Sequence, residues 1–421
     1  MLNISKPLFI YLQRPDNGEW VTVGRYQAGP AAGAGRFKYA PSYVDAGLTW
    51  SIDPVNLPFR PDDERPAPRY NGLHDVLRDA CPDAWGQALL RREHNLPGGT
   101  PPARYLILAS NADRWGALAV GTRPAPSVAQ LSSPRLRQLP LLVRELAAMS
   151  EQRPAVDDQL RRRLIQTASM GGARPKATLR DDEGQYWLVK PGIASDIADI
   201  PCLEHVCRQW GAASGLDFAS TVLHPAAEGR SAVRVLRYDR IGDRRLMCVS
   251  AASLLQAEYP DNMAQTNLWS YPRLAEELRI IGAPAEDRRE LFGRMVFNAV
   301  CGNDDDHVRN HAVVYTHEQR RWRLAPAFDV VPNPVETPRT LTLQLSTARF
   351  DISRSAVLAD AHRFGFDSSE EAGRYLDTLL TRVTNGFDQV AHWLEPEWQE
   401  TLRARMQQNI ALLGTTGQAH A

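Results

Sequence analysis

"NAVCGNDDDHVRNHAVV", residues 298–314, sets three consecutive aspartates between two apolar runs. Like charges a few ångströms apart repel by roughly 1–4 kcal/mol at effective dielectrics of about 80 down to 20. Such a triplet is ordinarily a solvated surface turn. Here it stands where apolar structure stops and resumes, with His307, Asn310 and His311 close by. Upstream, "PAEDRRELFGRMVFNAVCG" opens with Pro284 and first-turn acids. It then repeats Leu291, Phe292, Met295, Val296, Ala299 and Val300 at helical spacing and ends near Cys301-Gly302. Downstream, "HAVVYTHEQRRWRLAPAFD" reads as a hairpin. A loop fixed between a core helix and a hairpin is a rigid mount for chemistry.

Asp305 and Asn310 are five residues apart. Base and metal-binding asparagine have that separation in the H-R-D-x-x-x-x-N loop of protein kinases. Nineteen residues beyond Asn310, after the hairpin, Asp329 stands in "AFDVVP" where a kinase carries a second metal-binding aspartate. Magnesium, a hard cation, seeks carboxylate and amide oxygens and would offset the crowding of charge. Three other readings stay open on this segment alone: an acidic turn without chemistry, a zinc site from His307 and His311, and a calcium loop. The zinc reading lacks a third soft ligand, and the calcium reading lacks the mid-loop glycine and distal glutamate. Asp304 and Asp306 are either solvated or help to hold the loop.

A phosphate-gripping half is sought upstream. "SMGGARPKATL" is a small-residue loop from Ser169 running into a strand, and Gly171 and Gly172 let backbone amides approach phosphate oxygens. "KATLRDDEGQYWLVKP" reads as two strands about an Asp-Glu-Gly turn. If the turn centres near residue 183, antiparallel partners sum to about 366, which sets Lys190 opposite Lys176 beside the loop. Glu204, on the helical stretch "CLEHVCRQWGAA", either pairs with Lys190 or faces solvent. Glycine loop, lysine, glutamate, Asp-x-x-x-x-Asn and metal aspartate occur in kinase order.

The remaining sequence bounds the setting. The 421 residues suffice for two or three domains, and 43% hydrophobic with 23% charged residues is an ordinary globular composition. Forty-nine basic residues balance 49 acidic ones, which argues against an extended nucleic-acid-binding face. Five cysteines without C-x-x-C spacing, with Cys202 and Cys207 read as core thiols, fit a reducing cytoplasm. The N-terminus is no signal peptide, and no apolar stretch approaches a membrane span. "LFIYL", "WVTVGRY" and "ALAVG" read as strands, and "LHDVLRDACPDAWGQALLRR" as one helical stretch. The organisation expected is an N-terminal α/β subdomain at 1–122, a linker at 123–140, a nucleotide-binding N-lobe at 141–262 and a helical catalytic C-lobe at 263–421.

Together, "SMGGARPKA", "WLVKP", "VLRYDR", "GNDDDHVRNHAVV" and "LAPAFDVVP" resemble successive motifs of the HipA family of bacterial serine/threonine kinases. These are toxins of toxin–antitoxin pairs. "VGRYQAGPAAGAGRFKYAPSYV", "CPDAWGQALLRR" and "RWGALAVG" resemble the family's N-terminal segment, so the likeness runs nearly the length of the chain. It implies an α+β, protein-kinase-like fold with a sheet-rich N-lobe and a mainly helical C-lobe. It also implies Asp305 as catalytic base and magnesium on Asn310 and Asp329. ATP would be bound by Met170, Gly171, Gly172, Ala173, Arg174, Pro175, Lys176, Lys190, the hinge residues Leu236, Arg237 and Tyr238, and His307, Asn310 and Phe328. Glu204 would support Lys190, and Ser169 matches a serine whose autophosphorylation switches family members off. Family toxins phosphorylate translation-associated proteins, notably aminoacyl-tRNA synthetases, and so arrest growth. A small HipB-like helix-turn-helix antitoxin inhibits them and carries them to operator DNA. A nucleotide-binding co-repressor with vestigial kinase residues, or a small-molecule phosphotransferase, would share several of these motifs.

Overall fold

The computed structural model describes residues 6–29, 33–167, 172–225, 231–259 and 268–414. The chain forms two compact units. The first comprises Met1–Ile193, Arg237–Glu258 and Val314–Arg320; the second comprises Ala194–Leu236, Tyr259–Val313 and Arg321–Ala421.

In the first unit, five antiparallel strands lie in the order Arg65–Pro66, Arg36–Tyr39, Trp20–Gln27, Leu8–Gln13 and Leu118–Gly121. Leu8–Gln13 is paired on both edges, and Ile10, Tyr11 and Leu12 are all buried. A strand paired on both edges with three successive buried residues is what the apolar "LFIYL" can form without exposing them. The stretch read as a single helix is two, Asp75–Asp79 and Ala84–His94. Pro82 lacks an amide to donate and disfavours helical backbone just before it, so the chain must restart at Asp83. A helix, Leu139–Ser150, begins at the end of the stretch read as a linker. Ala177–Arg180 pairs with Tyr186–Pro191, Ala177 facing Val189 and Arg180 facing Tyr186, so partners sum to 366.

The second unit is mainly helical. Ala285–Cys301 is its axis, with every residue from Leu291 to Cys301 buried, and it ends at Gly302 in the left-handed conformation, φ 76°. Trp210, on the buried helix Ile200–Ala213, packs its ring 5.1 Å from Phe297 and 5.0 Å from Phe387. Its indole N–H donates to the Val383 carbonyl at 2.7 Å, tying three helices at one point. Ser368 caps Ser369–Val390 by accepting from the Glu371 amide at 3.1 Å, while the Glu371 carboxylate reaches the Asp367 amide. Thr221–His224 and Ala232–Leu236 pair as a hairpin. Cys81, Cys207, Cys248 and Cys301 are buried free thiols; Cys202 is only half-buried, its Sγ directed at the Trp393 carbonyl. No helix among the described residues is long and apolar enough to cross a membrane.

Burial leaves a pH signature. His74, packed edge-on to Tyr26 and Phe37, is pushed down to about 4 by desolvation, and His311 to about 3. Each folded-state value lies below the ordinary ~6.5. The unfolded chain therefore takes up protons that the folded chain refuses, and stability is lost as pH falls through the unfolded value. His74→Gln, which can still donate to the Arg65 carbonyl, is expected to become more stable relative to the parent by about 1.5 kcal/mol between pH 6.5 and 5. Paired urea titrations at the two pH values check this. A stability difference independent of pH would place His74 in water.

Candidate active site

The aspartate triplet divides its labour. Asp306 is wholly buried and accepts from the Tyr271 hydroxyl at 2.8 Å and from the Thr342 amide at 2.8 Å. Asn298, one turn before the end of the core helix, donates to the same Tyr271 oxygen at 2.8 Å, and Asn303 donates to Asn298 Oδ1 at 3.2 Å. Desolvation pushes Asp306 up to about 7 and raises Tyr271 further from its ordinary value. Asp304 is half-buried, accepting from Asn333 Nδ2 at 3.0 Å, while its carbonyl accepts from Thr342 Oγ1 at 2.5 Å. Only Asp305 projects outward, its side chain 80% exposed. The reading of a fully solvated turn is thus corrected: two aspartates hold the loop and one is presented.

Around Asp305 the second unit assembles the other expected residues. Asn310 Nδ2 donates to the Asp305 carbonyl at 2.6 Å, so the amide is held from one side and its Oδ1 is left for another partner. His307 Nε2 lies 3.7 Å from Asp305 Oδ1, its Nδ1 accepts from the Arg309 amide at 3.2 Å, and its ring lies 4.2 Å from that of Tyr259. Although the side chain is largely exposed, neighbouring protein atoms screen Asp305 from part of the solvent and raise its pKa. His307 opposes this, while Asp329 and Asp304 push the same way as burial. His307 is lowered by burial against the pull of Asp305 and Asp329. Asp329 itself sits at φ 54°, a left-handed backbone that is uncommon for residues other than glycine. Phe328 lines a small cavity with Asn303, Asp306, Asn310 and His311. Asp305, His307, Asn310 and Asp329 are therefore one electrostatic neighbourhood.

Glu204 is 3% exposed and accepts from Arg208 Nη2 at 2.9 Å, which removes the solvent-facing alternative for it. In the first unit, Lys176 and Lys190 are 8% and 6% exposed. An ammonium taken out of water costs several kcal/mol unless it is compensated, so neither lysine is a solvated strand-end charge. Gly172 has φ 89°, donates its amide to Asp83 Oδ2 at 3.1 Å and accepts at its carbonyl from the Trp85 amide at 3.1 Å. Ala173, Arg174 and Pro175 continue the turn toward the strand. Ser169, Met170 and Gly171 lie outside the described residues.

At the hinge the side chains are tied into the first unit. Arg237 does not face outward: its guanidinium is buried, donating to Asp113, to Thr178 Oγ1 at 2.9 Å and to both Asp239 oxygens at 2.9 and 2.8 Å. Burial pulls its pKa down, but Asp239 and Asp113 more than restore it, while the two arginines hold Asp239 low against burial. Arg240 completes the cluster, donating to Asp239 Oδ2 and to the Arg114 carbonyl, both at 2.6 Å. The backbone is engaged too, Leu236 N–H with the Ser220 carbonyl and Arg237 N–H with that of Tyr186. The Tyr238 hydroxyl accepts from Trp115 Nε1 at 3.2 Å. Asp113, the residue just before "RWGALAVG", and Arg237 of "VLRYDR", 124 residues on, thus belong to one buried charge cluster. Sequence reading missed Asp113, Asp239, Tyr271, Asn298 and Asp83. A polar Asn298 inside "MVFNAVC" was the one local signal among them.

The chain is similar to known proteins. The HipA-like C-terminal domain profile matches residues 168–390, more than half of the chain. Y4mE of Sinorhizobium fredii, named as a kinase, is 28% identical over 239 residues, 53% of this chain and 55% of that protein. The chain thus spans about half the length of the curated relative it matches. In the Shewanella oneidensis MR-1 complex of HipA, HipB and operator DNA, one chain superposes with a TM-score of 0.69 at 16% identity, covering 96% of this chain and 98% of that one. The Helicobacter pylori proinflammatory kinase CtkA superposes at 0.42, with 12% identity over 56% of this chain and 90% of its own. The α+β fold expected from the sequence, with sheet-rich and helical regions, is that of HipA. The chain belongs to the HipA-like C-terminal domain family.

Proposed function

We propose that this protein is a cytoplasmic serine/threonine kinase toxin that transfers the γ-phosphoryl group of ATP to a protein hydroxyl. The observation that carries this reading is the divided aspartate triplet: Asp306 buried as anchor, Asp305 exposed, Asn310 tied to the Asp305 carbonyl, and Asp329 in electrostatic reach. An acidic turn without chemistry has no need to spend a wholly buried carboxylate and a left-handed aspartate on presenting one side chain.

The residues fit magnesium. Burial raises the Asp305 pKa, Asp329 and Asp304 raise it further against His307, and the Asn310 Oδ1 adds a hard oxygen beside these carboxylates. Two protein oxygens plus phosphates suit a cation that keeps several waters and takes one or two carboxylates. Among the described residues no group of three or more His, Cys, Asp or Glu is arranged to hold a metal, and an Asn-plus-Asp set does not need one. Asn310 and Asp329 would hold the ion, which when bound screens the phosphate charge. Asp305 orients the acceptor hydroxyl and takes up its proton at a carboxylate oxygen, while His307 steadies that carboxylate. In this reading Lys190 and the loop from Met170 to Lys176 grip the phosphates, and Phe328 and the hinge residues border the nucleotide. Positioning and electrostatics supply most of the acceleration in such chemistry. Autophosphorylation at Ser169, a translation-associated substrate, growth arrest and a HipB-like antitoxin that links the toxin to operator DNA complete the proposal.

The test is incubation with labelled ATP, magnesium and cell extract, followed by mass spectrometric mapping of phosphate. Transfer by the parent and its absence in Asp329→Ala support the kinase. Nucleotide binding without turnover in either protein would make it a co-repressor module, and label confined to small molecules would make it a small-molecule phosphotransferase.

A further inference from the structure

Asp83 stands at the N-cap of the Ala84–His94 helix, where an aspartate ordinarily turns back to accept from its own helix's second or third amide. It makes no such cap. Its Oδ2 instead accepts from the Gly172 amide, 89 residues on, at 3.1 Å, and its Oδ1 accepts from Arg78 Nη1 at 2.9 Å. The Trp85 amide, one of the first-turn donors a helix leaves unused, donates to the Gly172 carbonyl at 3.1 Å. Both backbone polar groups of one glycine are thus fastened to one helix end, at φ 89°, where a side chain would strain the backbone.

The electrostatics make this arrangement usable. A bare carboxylate beside an anion-binding loop would repel phosphate. Here Arg78, 5% exposed and lying over the Tyr70 ring at 5.8 Å, neutralises it from behind. We propose that Asp83, with the Trp85 amide, is a positioning residue for the glycine loop, fixing Gly172 so that nucleotide binding does not have to order that end of the loop. What the loop binds rests on the kinase reading; the clamp itself does not.

The test uses the full-length protein and compares Asp83→Ala, Asp83→Asn and Asp83→Ser. Hydrogen exchange is read at the Gly172 amide and the segment to Lys176, and separately across Ala84–His94. ATP affinity with magnesium is read by calorimetry, with KM and kcat beside it. Asp83→Ala is expected to speed exchange at Gly172 at least tenfold and to raise the ATP Kd and KM about tenfold, with kcat within twofold. The first turn of Ala84–His94 should stay as protected as before. Asparagine keeps an acceptor oxygen and should recover most of the affinity. Serine supplies a good helix cap but a shorter reach, so it should behave as alanine does even if alanine fails to fold. Unchanged exchange at Gly172, loosening confined to the helix's first turn, or an unchanged ATP Kd despite faster exchange would each overturn the proposal. Absence of ATP binding by the parent would remove the kinase reading, while the exchange comparison still decides the clamp.

Discussion

Asp305→Ala is expected to lower phosphoryl transfer by roughly 10²–10⁴-fold, the usual contribution of a general base, while folding stability stays within about 0.5 kcal/mol. The two halves of this expectation come from one observation. Asp305 is 80% exposed and its carboxylate raises no structural claim beyond a 3.7 Å approach to His307. Asp329 and Asp304 repel its charge, so its removal takes away an unfavourable interaction. The anchor beside it behaves oppositely. Asp306→Ala strips acceptors from the Tyr271 hydroxyl and the Thr342 amide, and each orphaned buried group costs about 1–3 kcal/mol. Adjacent alanines should therefore separate chemistry from folding: one inactive and stable, the other unstable. A third readout follows from charge. Asp305 holds the His307 pKa up against burial, so the Asp305→Ala variant should show His307 titrating lower by NMR. Full transfer activity in that variant, or a fall in its thermal midpoint, would take Asp305 out of the role of base.

How much of this was legible in the sequence depends on the distance between partners. The hairpin register at 366 followed from one turn and the period of a strand, and the end of the core helix at Gly302 from local punctuation. Both are decided within a few residues. That Asp305 and Asn310 share one loop was legible because spacing along a loop is also local. Direction was not. Which of three consecutive aspartates turns inward depends on Tyr271 and Thr342, 35 and 36 residues away. Glu204 was ambiguous on its helix because Ile200–Ala213 is buried nearly all round, so facing out was never available to it. Asp83 looked like half of a continuous helix because its partner, Gly172, lies 89 residues on. Periodicity reports how an element faces a core. It carries nothing about which charge another charge will meet there.

Arg237 shows what such a meeting is worth. Substitution by alanine removes four donor contacts at once and leaves Asp113 and Asp239 buried with Arg240 as the remaining arginine of the cluster. Breaking a buried pair by deleting one partner typically costs about 3–5 kcal/mol, because the orphaned charge cannot return to water. For a domain of 150–250 residues that corresponds to a fall of roughly 6–20 °C in thermal midpoint. Arg237→Lys keeps the charge but not the fork, and an ammonium cannot serve two carboxylates and the Thr178 hydroxyl in the same geometry, so it should recover only part of the loss. Neutralising the carboxylates along with the arginine, as Arg237→Met with Asp113→Asn and Asp239→Asn, removes the orphaned charges and should restore more than lysine does. Asp239 also accepts the Gly116 amide at 2.9 Å, which asparagine can still do through its oxygen. Scanning calorimetry of the four proteins checks the ranking. Thr178 lies on the strand Ala177–Arg180, which follows directly on Lys176, and Asp113 immediately precedes the "RWGALAVG" stretch. A cluster that joins them fixes the phosphate-side hairpin to the N-terminal sheet region, so ATP affinity should fall with stability across the series. An alanine variant within 0.5 kcal/mol of the parent would mean that these charges are solvated and that the cluster does not hold the fold.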